Sequence, residues 1–125
     1  MDINGQIAYW RNSSSEDWQV AQELIENGRV RHGLFFIHLA MEKILKAHVT
    51  KAIQDIPPRI HNLLRLSELA NINPSSETID TLQMVNQYNI EGRYPEGLDS
   101  PPTLSEAKAE VNQVKEVFEW LIQIL

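Results

Sequence analysis

Residues 33–49 read GLFFIHLAMEKILKAHV, the most apolar run of the chain, interrupted by His38, Glu42, Lys43, Lys46 and His48. Leu, Ala, Met, Glu and Lys dominate it, and these are strong helix formers, so a helix prevails over a strand. On a helix from about Arg29 to Ile53, the residues Leu34, Ile37, Met41, Ile44, Leu45 and His48 fall on one side. Phe36, Ala40 and Ala47 form a second, narrower line. A helix apolar over so much of its circumference is central in its domain or shares a face with a partner chain. The remaining segments are expected to pack around this one.

On the N-terminal side, SSEDWQVAQELIENG (14–28) carries Trp18, Ala21, Leu24 and Ile25 at helical steps. Ser13, Ser14 or Ser15 is its expected cap, Glu16 and Asp17 suit the positive first turn, and Gly28 suits a left-handed stop. INGQIAYWR (3–11) reads as a separate helical turn packing Tyr9 and Trp10. On the C-terminal side, Pro57-Pro58 ends the central helix, and RIHNLLRLSELANI (59–72) and SSETIDTLQMVNQYN (75–89) show helical spacing again. The Gly- and Pro-rich RYPEGLDSPP (93–102) cannot continue a helix. Thr103 and Glu106 then form a capping box before the seam Leu104, Ala107, Val111, Val114, Phe118, Leu121 and Leu125. The pattern predicts an all-α fold: an antiparallel up-and-down bundle of four long helices plus one shorter helix, as a single domain over residues 1–125.

Composition narrows the function classes. With 42% hydrophobic and 22% charged residues, the chain is ordinary for a globular domain, which excludes a disordered or low-complexity reading. A net charge of −6 argues against a broad nucleic-acid surface but leaves room for a local basic pocket. The absence of cysteine rules out disulfides and thiolate zinc sites and fits a reducing cytoplasm, the expected location. No apolar run suits a membrane span, and MDINGQIAYWRNSSSEDW does not read as a secretory signal.

Few residues stand out for chemistry. Glu42 and Lys46, four apart with the acid first, read as a solvated ion-pair stripe; His38 shares their face, but no metal site is expected there. Lys43, rotated roughly 100° from Glu42, either reaches an anion across a groove or lays its stem along apolar surface. His61, with Arg59, stands where the next helix is expected to start; it either adds a donor to a phosphate site or caps the turn. Arg93 and Tyr94 precede Pro95, which fixes the chain as extended. Arg93 either forks onto a phosphate or carboxylate or ties down its own loop. Walker, dinucleotide-binding, nucleophile-elbow and zincin motifs are absent, and no cofactor is expected.

Taken in order, four pieces resemble the HEPN domain family: the tryptophan-bearing helix (14–28), FFIHLAMEKILKAHV (35–49), RIHNLL (59–64) and GRYPEG (92–97). The second is the specific one, and the resemblance covers roughly residues 14–122. It implies a small antiparallel helical bundle, commonly a homodimer. Many prokaryotic members are encoded beside or fused to a minimal nucleotidyltransferase, as nucleotide-acting pairs or toxin–antitoxin units. Others are metal-independent endoribonucleases that use an arginine and a later histidine with four to six residues between them. Here the window after Arg93 reads YPEGLDS and holds no histidine; a formal match, Arg31 and His38, lies instead in the central helix. The expectation is therefore a non-catalytic module that dimerises and binds a nucleotide or a nucleotidyltransferase partner, lined by Lys43, Arg59, His61, Arg93 and Tyr94. The alternative is an endoribonuclease acting on RNA with Arg93, His61, Arg31 or His38.

Overall fold

The quoted run lies in α2 (Val30–Ile53) of the computed structural model, which describes residues 2–89 and 102–125. α2 touches every other helix: α1 (Ile3–Glu26), α3 (Leu63–Leu69), α4 (Ser76–Asn86) and α5 (Leu104–Ile124). Among the described residues there is no strand, and the bundle has four longer helices and one of seven residues. Leu34, Ile37, Met41, Ile44 and Leu45 are completely or almost completely buried, as their spacing predicts. Each such side chain stabilises the fold by about 1.5–3 kcal/mol through its removal from water. Over its middle turns α2 is covered by its own chain, while Ile53 at its C-terminal end is 44% exposed.

α1 differs from expectation. It is one helix through Ser13-Ser14-Ser15, capped at Asp2, whose carboxylate accepts from the Gly5 N–H at 2.9 Å. The serines do not cap because the helix already runs through them, and two of their hydroxyls are used elsewhere. Ser14, fully buried, donates to the Arg11 carbonyl at 2.7 Å, which lets a hydroxyl sit inside a helix. Trp10 and Ile7 consequently pack on the core as part of α1. Downstream, Gly28 is left-handed at φ +79, as predicted, and starts the turn into α2. The two helices then cross closely at Gly33, where a β-carbon would collide with Ile25 Cγ1.

α3 also starts later than expected. Residues 59–61 are not helical; Asn62 is the cap, its side-chain oxygen accepting from the Leu64 and Arg65 N–H groups. Ser75 caps α4 through Thr78. The predicted capping box of α5 is complete, with Thr103 and Glu106 each bonded to the other's backbone N–H. Trp18 stacks on Phe118 with ring centroids 4.5 Å apart, joining α1 to α5.

Candidate functional site

His38, Glu42 and Lys46 follow one another at four-residue steps along α2, which aligns them in a row. The row is not the solvated stripe its sequence suggests. His38, Glu42 and Lys46 are 2%, 6% and 7% exposed. Lys46 is covered because α1 is long and brings Trp10 over it, with Nζ 5.5 Å from the ring centroid, while residue 61 stands over His38 and Glu42. Buried charge is tolerable only when paired and hydrogen-bonded. Lys46 Nζ donates to Glu42 Oε2 at 3.0 Å, and the other carboxylate oxygen, Oε1, accepts from His61 Nδ1 at 2.9 Å. His38 Nδ1 lies 3.8 Å from the same Oε1.

These contacts fix the histidine tautomers. A carboxylate only accepts, so His61 carries its proton on Nδ1 and turns Nε2 away from Glu42. His38 Nε2 is 3.2 Å from the His61 carbonyl oxygen and therefore donates to it. Residue 61 is thus held twice, by its ring and by its backbone, although its side chain remains 67% exposed. A cleft of about 240 Å³ opens beside it, lined by His38, His61, Asn62, Asn86 and Asn89. The amide oxygens of Asn62 and Asn86 face the start of α3, where they accept from Leu64, Arg65 and Leu63. The first amides of α3 are consequently engaged by side chains, and any anion drawn to this place would meet side-chain donors only.

Lys43 points the other way round α2. Its Nζ reaches α1, 2.8 Å from Ser13 Oγ and 2.7 Å from Asp17 Oδ2. Arg59 and Arg31 are exposed. The structure therefore brings His38 and His61 together on Glu42 and places Lys43 in a separate contact with α1. Arg93 and Tyr94 lie outside the described residues. The asparagines and the placing of Trp10 over Lys46 were missed from sequence. Asn62 is a favoured cap residue directly before LLRLSEL, and that was the available clue, obscured by starting the helix at Arg59.

Two further features frame the site. His48, at the far end of α2, donates Nε2–H to the Leu121 carbonyl at 2.7 Å. Burial holds it below the ordinary histidine range against the raising effect of that bond, and Lys51 pushes it the same way as burial. Among the described residues no group of three or more acidic or histidine side chains is arranged to hold a metal. Nor, among them, is any helix long and apolar enough to cross a membrane.

The arrangement defines a class first: an all-α bundle with a buried polar row along its central helix and a histidine presented at its edge. The HEPN domain model matches residues 7–125, and the chain belongs to that family. Its fold is similar to that of TT1696 from Thermus thermophilus, with a TM-score of 0.77 at 19% identity over 96% of this chain and 98% of that one. It is also similar to ST0689, an archaeal HEPN homologue, with a TM-score of 0.71 at 19% identity over 92% and 93%. No curated protein matches the chain.

Proposed function

We propose that this chain is a non-catalytic HEPN module that binds a nucleotide, free or presented by a nucleotidyltransferase partner, as one half of a toxin–antitoxin pair. The observation that carries this reading is the cleft beside His61, where a fixed imidazole and asparagine amides meet in one concavity. Its volume suits a phosphate or a single base. Arg59, two residues before His61, and Arg93 and Tyr94, four and five after Asn89 in the sequence, are the remaining candidates for the lining. Lys43 takes part only after leaving Asp17, and so ranks last. His38, enclosed against Glu42 and the His61 carbonyl, serves as framework, which supports binding over cleavage. Titration of labelled nucleotides tests the reading. His61→Ala and Arg93→Ala weaken binding by at least about tenfold, the effect of losing a charge-assisted contact; affinity unchanged in both variants refutes it.

Dimerisation belongs to the same proposal. Ile53, Ile56 and Ile124 are 44%, 60% and 43% exposed. Lys51 bonds the Leu125 carbonyl, which brings Ile53 and Ile124 to the same end of the bundle. Light scattering of wild type and of Ile53→Asp with Ile124→Asp reads the assembly; a monomeric wild type removes this element.

One observation favours the second reading, a metal-independent endoribonuclease. A buried carboxylate orienting a histidine with its other nitrogen exposed is the arrangement of a general acid–base. Cleavage of single-stranded RNA in chelator, lost in His61→Ala, establishes that activity and overturns the non-catalytic one.

A further inference from the structure

We propose that His61 is a covalent phosphoryl acceptor, taking the group on Nε2 from a small phosphate donor or a nucleoside triphosphate. The inference goes beyond nucleotide binding, since any activated phosphate can serve as donor. Three observations carry it. Glu42 at 2.9 Å holds a proton on His61 Nδ1, so in the neutral ring the lone pair is on Nε2, on the side of the ring away from Glu42. Ring and backbone are both anchored, the latter through His38, so the nucleophile is pre-oriented. The asparagines supply the third element. Capping of α3 consumes the oxygens of Asn62 and Asn86, and Asn86 Nδ2 spends one N–H on Asn62 Oδ1 at 3.3 Å, which leaves Asn62 Nδ2 and the second Asn86 N–H as the donors for the cleft. An incoming phosphoryl group, all acceptor oxygens, meets donors beside the attacking nitrogen.

The step balances without a redox partner. The Nε2 lone pair forms an N–P bond, and the bond from phosphorus to the leaving group breaks with its electrons going to that group. The ring becomes an imidazolium still holding its Nδ1 proton, and the Glu42 carboxylate, only 7% exposed, faces that new positive charge. Lys46 occupies the other carboxylate oxygen and keeps Glu42 from turning away.

The chain contains its own control. His32, in the first turn of α2, is exposed as His61 is, but no carboxylate among the described residues is bonded to its ring. Phosphoramidate, which phosphorylates imidazole with release of ammonia, is the donor to use, followed by phosphorus NMR and peptide mapping. The expected result is phosphate on Nε2 of His61, formed at least about tenfold faster than on His32, the gain from orientation. His61→Asn retains an N–H for Glu42 and deletes Nε2; it abolishes the fast phase without moving the unfolding midpoint. Glu42→Gln lowers the rate to that of His32. Equal rates on the two histidines in wild type, attachment at Nδ1, or an unchanged rate in Glu42→Gln overturns the proposal.

Discussion

Two sides of α2 are buried in different ways. Along Ile37, Met41, Ile44 and Leu45 the helix meets its neighbours by shape alone, and any side chain of similar volume has a chance of fitting. Along His38, Glu42 and Lys46 it meets them by specific partners: a carboxylate shared between an ammonium and an imidazole, under an indole ring. The apolar side is robust to changes of partner and sensitive to changes of size. The polar row is the reverse, because removing one member strands another in a place where water does not reach it.

That contrast can be broken first at Glu42. Glu42→Ala leaves Lys46 buried without its carboxylate and releases His61, and is expected to cost about 3–5 kcal/mol in urea unfolding. Replacing Glu42 and Lys46 together by Met is expected to restore most of that loss; a double variant as weak as the single one removes the distinction between the two sides. Next comes Gly33→Ala, a size change at the α1–α2 crossing. A β-carbon there meets Ile25 and the Ala21 carbonyl, so overpacking of about 1–3 kcal/mol outweighs the helix propensity gained. A stabilised variant shows that the crossing yields easily. Lys43→Met is smaller still. Its contact with Asp17 is partly exposed, and the expected loss is under about 1 kcal/mol. A larger loss places Lys43 with the polar row after all.

The gentlest effect is one of slope. His48 is held below its ordinary value of 6.5 in the fold, so the unfolded chain takes up a proton first. Its contribution is complete above that value and declines as pH falls through it. The unfolding midpoint should therefore drop between neutral and mildly acidic pH, and less steeply in His48→Gln; identical slopes remove His48 as the cause.

What was legible in the sequence was chiefly local. The Thr103–Glu106 box, the Gly28 stop and the α2 periodicity each depend on residues within a turn or two, and each stands as read. The start of α1 was not legible, because a run of serines is a good cap only when its hydroxyls are free; here one bonds Arg11 and another Lys43. With Trp10 read into a separate turn, nothing covers Lys46, so Lys46 reads as wet. Lys43 pairs with Ser13 and Asp17, which lie in the segment read as helical, but that contact is set by how α1 and α2 pack and not by spacing along either helix. At the cleft, His61 stands out in the sequence for its position near a helix start, whereas its actual setting depends on Glu42, nineteen residues away.

The three tryptophans give the molecule a set of built-in reporters. Trp10 watches the ammonium of Lys46, Trp18 lies flat against Phe118 where the first and last helices meet, and Trp120 lines the groove between α4 and α5. Emission from the whole chain therefore blends three separate districts. Keeping Trp10 alone, with phenylalanine at the other two positions, would turn fluorescence into a direct view of the charged interior while the flanking seams stay dark.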